Sequence, residues 1–135
     1  LGAQHWASEY AAGRYPVKIT CGILLDMVGG EGAKFYQEGM SMELAGDLTS
    51  RIWQAAEAAG VGVFFPKSMG GYVTDDHVPV NNIAGIPCTD IIPYYKDCPQ
   101  SSFGPTWHTV DDTMNHISRE TLRAAGQAVI QFIYQ

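Results

Sequence analysis

The chain has 135 residues, with eight basic against fourteen acidic side chains and a net charge of −6. That length favours one domain of ordinary size, and the acidic balance argues against nucleic acid or an anionic membrane as the main partner, since both need a basic face. Hydrophobic residues at 46% against 16% charged exclude a disordered chain, and the wholly apolar runs are too short to span a bilayer.

Leu1 to Ala12 reads as the later turns of a helix. Trp6 and Tyr10 share a face with Ala3 and Ala7, nothing caps the start, and Gly13 then Pro16 supply the stop. The uncapped first turn and the absence of a start methionine create the expectation of a cut inside a longer gene product. Val17 to Val28 reads as a strand that becomes continuously apolar through Ile23, Leu24 and Leu25, the pattern of a strand covered on both faces. It ends in Asp26, and an acid at the C-terminal end of a buried strand stands where open α/β sheets place their ligands. An acid that merely caps the next turn fits the same position.

Ser41 opens the clearest helix, which runs to about Ala59 with Leu44, Leu48, Ile52 and Ala56 on one stripe. Ser41 is the expected N-cap, and Gly60 the stop. Val63-Phe64-Phe65 and Tyr72-Val73 read as short strands, and Ile86 to Ile92 as a further buried one. Tyr94 to Pro105 is a polar loop. The last helix starts at Ser118, with Leu122, Ala125, Val129 and Ile133 on its apolar face. Strands alternating with helices argue an α/β fold with a covered sheet, and three strands are few for a complete one. The three cysteines, Cys21, Cys88 and Cys98, make no zinc or redox motif, although Cys88 and Cys98 flank one loop and are candidates to pair in an oxidising compartment.

Two polar clusters stand out in this lightly charged chain: Asp75-Asp76-His77, and Trp107-His108-Thr109 followed by Asp111-Asp112. Solvated loop acids and a half-buried histidine are the plain alternative. Yet Asp26, Asp75 and His108 all follow apolar segments, and carboxylate with imidazole at one sheet edge is donor chemistry that suits Zn²⁺.

In order along the chain, Leu24-Leu25-Asp26-Met27-Val28-Gly29, Thr74-Asp75-Asp76-His77-Val78-Pro79, Gly85-Ile86-Pro87 through Ile91-Ile92-Pro93, and Trp107-His108-Thr109-x-Asp111-Asp112-Thr113-Met114 resemble the C-terminal half of the M28 zinc peptidase family. The resemblance is to its glutaminyl-peptide cyclotransferase branch in particular, and it covers nearly the whole chain. It implies a three-layer α/β/α sandwich with a mixed sheet, of which residues 1–135 are the C-terminal part. It further implies that His108 ligates zinc. Asp26 is implied either to ligate a second zinc, as in two-metal aminopeptidases, or to join Asp75 in a hydrogen-bonded network near the catalytic glutamate. Trp107 is implied as the aromatic wall beside the substrate, with Val73, Ile92 and Phe103 lining an apolar pocket and the Thr74 carbonyl receiving the substrate amine. His77 is expected to be structural support.

The family's remaining zinc ligands and its catalytic glutamate match no position in this chain, so the resemblance implies that they lie before Leu1. Two functions then compete. One is conversion of an N-terminal glutamine to pyroglutamate with release of ammonia; the other is hydrolytic removal of N-terminal residues. A non-catalytic remnant is a third reading, and the 135 residues alone are expected to be inactive. The resemblance points to an exported bacterial enzyme whose partner is a peptide with a free N-terminus. The unpaired edge of the Val17–Val28 strand is expected to be covered by an oligomer or by the rest of the protein.

Overall fold

The computed structural model describes residues 1–135. Helix α1 spans Gly2–Ala11, with Leu1 at the N-cap and no side-chain cap. The chain then runs extended to strand β1, Gly22–Leu25, which pairs in parallel with β2, Cys88–Ile91, in a two-stranded sheet. The register sets Gly22 opposite Cys88 and Leu25 opposite Ile91. Between the strands lie α2, Gly39–Ala58, and α3, His77–Asn82; α4, Arg119–Tyr134, follows β2.

Several expectations from the sequence need correction. The strand read over Val17–Val28 shortens to four residues because a ladder exists only where β2 lies alongside. Nor is β1 covered on both faces: Leu25 is 49% exposed and the other three residues are only partly buried. Every residue of β2 is buried, so the better covered strand of the pair is the later one. Val63-Phe64-Phe65 is no strand. Gly60 takes a left-handed φ of 79°, and the chain then closes a 3₁₀ turn over Gly62–Phe64, which drives Phe65 inward. The Phe65 ring packs edge-on to Trp53 at 5.2 Å and against Phe35 at 5.1 Å. Tyr72-Val73 is extended but makes no ladder, since a side chain takes the Val73 amide instead.

The cap of α2 also differs. Glu38, not Ser41, is the N-cap, its carboxylate accepting from the Met40 and Ser41 amides at 2.8 and 2.7 Å. Ser41 sits buried in the first turn. At Ala45 the backbone leaves helical geometry (φ −145°, ψ 47°), and the Thr49 hydroxyl donates back to the Ala45 carbonyl at 2.9 Å, bracing this kink. Ser118 caps α4 as expected, its hydroxyl accepting from the Thr121 amide.

The buried face of α4 is the small-residue one, Thr121, Ala124, Ala125 and Ala128, rather than the stripe through Leu122 and Ile133. Small side chains let α4 lie close on α2, whose Leu48, Ile52, Trp53 and Ala56 form the core with Ile91 and Phe35. Leu122 and Ile133 are exposed. All three cysteines are free, so Cys88 and Cys98 do not pair. Cys88 faces β1 instead, where a Cβ on Gly22 would lie 2.9 Å from its sulfur. No helix is long and apolar enough to cross a membrane.

Candidate active site

The C-terminal ends of the two parallel strands lie side by side, and the polar loops converge there. The Asp26 amide donates to the Ile91 carbonyl at 3.1 Å, placing Asp26 one residue beyond β1 and level with the end of β2. Met27, next in the chain, takes a left-handed φ of 56°. A non-glycine residue in that region stores strain, which accumulates at functional sites.

Asp26 and Asp75 share a hydrogen bond between carboxyls. Partial burial, then that bond, then the charges of Asp75 and Asp76 raise Asp26 to about 6. Asp75 also accepts the Asp76 amide at 2.8 Å through Oδ1, and its carbonyl accepts the Val78 amide at 3.1 Å, which starts α3.

Beneath this pair lies a buried line of ionisable groups. His77 Nε2 is 2.9 Å from Glu38 Oε2, and His77 Nδ1 is 3.7 Å from Asp90 Oδ2, with all three side chains inside the protein. Burial pushes Glu38 up, but bonds from His77, from the Ser41 hydroxyl and from the Val73 and Met40 amides outweigh it and hold the carboxyl down at about 2. Since Glu38 is an ionised acceptor, His77 Nε2 is the donor in their pair. Asp90 goes the other way. Burial, and then Asp75 with its charge and its bond, push Asp90 up to about 9. Neither Asp90 oxygen meets a donor from the rest of the protein, and two ionised carboxylates have none to offer each other.

The residues expected to bind substrate gather close by. Val73, Ile92 and Phe103 line one recess together with Tyr36, Tyr72 and Tyr94. Thr74 and Asp75 open onto an adjoining groove that includes Val78 and Pro79. On the loop after β2, the Phe103 and Trp107 rings lie 5.0 Å apart, and Trp107 stacks on His108 at 3.9 Å and 17°. Gly104, at a left-handed φ of 105°, lets this loop approach the ring of Tyr95, which a Cβ would meet at 2.8 Å. Like Met27, His108 has a left-handed φ, 57°. Asp111 and Asp112 are solvated, the plain reading of that acid pair.

As metal donors, His108 is exposed and Asp26 half-buried, and neither is turned into the core. Imidazole and carboxylate suit zinc in kind but not in number. No group of three or more histidine, cysteine, aspartate or glutamate side chains in these residues is placed to hold a metal ion.

Sequence reasoning missed Glu38 and Asp90. Asp90 had left a signal, a lone acid inside the apolar run Ile86–Ile92. Glu38 had left almost none, since its partners lie 35 and 39 residues away.

The sequence model of peptidase family M28 matches residues 1–133. A glutaminyl cyclase structure from Porphyromonas gingivalis superposes with a TM-score of 0.91 at 45% identity, covering 98% of this chain and 47% of its own. A Zn-dependent exopeptidase from Parabacteroides distasonis gives 0.91 at 42% identity, covering all of this chain and 45% of its own. Aminopeptidase YwaD of Bacillus subtilis is 28% identical over 141 aligned residues, all of this chain and 29% of that protein. The α/β fold is thus that of zinc exopeptidases and glutaminyl cyclases, and the chain spans less than half the length of each of these relatives.

Proposed function

The chain belongs to peptidase family M28, and from that membership we propose that it is the C-terminal part of a zinc-dependent enzyme acting on peptide N-termini, with glutaminyl-peptide cyclisation as its reaction. The observation that carries this reading is the convergence of two features at one sheet edge. One is a recess lined by Val73, Ile92 and Phe103, of a size and polarity for a single side chain; the other is the hydrogen-bonded acid pair Asp26–Asp75. The 45% identity to a glutaminyl cyclase supports it.

In this reading His108 and Asp26 contribute to the metal site, and the remaining donors come from outside these residues. Zinc, when bound, supplies Lewis-acid polarisation of a substrate carbonyl. The chain's own groups do the rest. Phe103 and Trp107 confine the glutaminyl side chain so that the peptide's α-amine reaches its amide carbon, an intramolecular attack whose rate depends on that confinement. The Thr74 carbonyl accepts from the amine and orients its lone pair. The new C–N bond closes the lactam ring, and the amide C–N bond breaks. The amine's proton is delivered to the departing nitrogen, which leaves as ammonia. Asp26 and Asp75 fix the polar side of the site.

A second reading, metal-dependent removal of N-terminal residues, is favoured by the similarity to an aminopeptidase and an exopeptidase. In that case Asp26 binds metal directly. The whole protein, given peptides that begin with glutamine, separates the two: ammonia without a free amino acid supports cyclisation, whereas a released amino acid supports hydrolysis. One bound zinc per protein accompanies the first outcome, and two the second. Absence of both products, with the protein folded and zinc supplied, leaves the non-catalytic remnant. We further propose export from a bacterial cell. The open edge of β1, with Leu25 exposed, would be covered by the rest of the protein or by a second copy.

A further inference from the structure

One side chain touches both loops of the candidate site. Tyr95 follows β2 and lies half-buried against the core. Its phenol donates to the Glu31 carbonyl at 3.0 Å, on the loop that begins with Asp26. Its ring receives Gly104, just ahead of Trp107 and His108, so closely that a Cβ there would lie 2.8 Å from a ring carbon. Its own amide donates to the Ser102 carbonyl at 2.8 Å, which folds the intervening loop back onto it.

The far end of the same stretch is fastened differently. The Ser118 amide donates to the Gly29 carbonyl at 2.8 Å, and the Glu31 amide to the His116 carbonyl at 3.1 Å. The chain from Gly104 to Ser118, which carries His108, is thus tied to Gly29-Gly30-Glu31 at both ends. Backbone groups make the far tie, and every residue but proline can supply them. The near tie depends on a single side chain.

Packing alone does not call for a tyrosine here, because phenylalanine fills the same ring volume. The hydroxyl adds the bond to Glu31, and it reaches that carbonyl only across bare backbone. A Cβ on Gly30 would lie 2.8 Å from the phenol oxygen, and beyond its chain neighbours it would meet no other atom within 4 Å. The fit between Gly30 and the Tyr95 hydroxyl is therefore specific to that one oxygen.

We infer that Tyr95 is a positioning residue that sets the separation between the loop carrying Asp26 and the loop carrying His108. Gly30 is the surface its hydroxyl passes to reach Glu31. The inference deepens the proposed function and rests on it in one respect, that Asp26 and His108 contribute to the metal site.

The test measures zinc affinity of the whole protein, by chelator competition, in Tyr95→Phe, in Gly30→Ala and in the double variant. Tyr95→Phe keeps the ring against Gly104 and removes the bond, so zinc is expected to bind about threefold to tenfold more weakly. Gly30→Ala forces the phenol and the Asp26 loop apart and is expected to weaken binding about tenfold or more. In the double variant the obstructing oxygen is gone. Adding Gly30→Ala to Tyr95→Phe is therefore expected to change affinity by less than about twofold, a non-additivity that general loosening of the fold does not produce. Wild-type affinity in Tyr95→Phe overturns the inference, as does an equal loss from Gly30→Ala with and without Tyr95→Phe. Should Gly30→Ala fail to fold alone, the comparison of Tyr95→Phe with the double variant carries the test, and a much weaker double variant overturns the inference.

Crystal structures supply a readout independent of metal. The Gly104–His108 stretch is expected to move about 1 Å relative to β1 in Gly30→Ala, or in Tyr95→Phe/Gly30→Ala to keep its wild-type place. An unmoved stretch in Gly30→Ala overturns the inference. If the wild-type protein binds no zinc, the proposed function falls, and the crystal comparison alone decides the positioning role.

Discussion

Trp107 and His108, adjacent in sequence, lie face to face with ring centroids 3.9 Å apart and planes 17° from parallel. The indole fixes the plane of the imidazole, and Phe103 backs the indole at 5.0 Å. A metal-binding histidine gains affinity from neighbours that fix its orientation. Trp107→Ala is therefore expected to weaken zinc binding by the whole protein about tenfold, measured by competition with a coloured chelator. The same variant should raise KM for a glutaminyl peptide.

Asp26 carries a pH signature. Its folded-state pKa, about 6, lies above the ordinary 3.8, so the folded protein binds this proton more tightly than the unfolded chain. The resulting stabilisation is fully present below pH 3.8 and is lost as pH rises through 6. In the metal-free protein Asp26→Asn should accordingly be more stable than wild type at pH 8, by about 1–2 kcal/mol after allowance for solvent screening. The advantage should vanish near pH 3.5, as read by urea denaturation.

Glu38 carries the opposite sign. Its pKa falls from 4.5 to about 2 on folding, so its stabilisation is present above 4.5 and fades as pH drops towards 2. Glu38→Gln sets an amide nitrogen among donors from Ser41, His77 and Val73. It is expected to cost about 3 kcal/mol at pH 7, the loss typical of breaking one partner out of a buried pair. Urea denaturation at pH 7 and at pH 2.5 checks this, the deficit shrinking at the lower pH.

Gly104→Ala tests the loop that carries Phe103 and Trp107. The left-handed φ of 105° is strained for alanine, and its Cβ would meet the Tyr95 ring at 2.8 Å. A loss of about 1–3 kcal/mol is expected, together with displacement of both aromatic rings, visible as a change in tryptophan fluorescence.

The parts of the fold that were legible in the sequence carried their own local chemistry. Ser118 announces α4, Gly60 ends α2, and the apolar run around Cys88–Ile91 reads directly as a strand. The errors fall where distant partners decide. Glu38 displaces Ser41 as the cap of α2 because its carboxylate is also wanted by Val73 and His77. The buried face of α4 falls on the alanines Ala124, Ala125 and Ala128, while Leu122 lies towards Gly29. At the candidate site the same division holds. Asp26 stands at a strand end that the sequence marks and Asp75 just after a short apolar segment, and they meet; the helix α3 that follows Asp75 was not legible. Asp90 hides in a strand, where nothing local says that its carboxyl is buried beside His77 rather than in solvent.

Met27 and His108 are the only two non-glycine residues with left-handed backbone, and both belong to the candidate site. Glycine at either position would relax the chain. A version of this protein selected purely for endurance under heat would therefore drift towards glycine at Met27 first, since that change leaves the proposed zinc donor His108 in place. Such a drift would loosen the turn that aims Asp26, and a hardier protein would emerge with a blunted site. Screens for thermal tolerance and screens for turnover should thus pull Met27 in opposite directions.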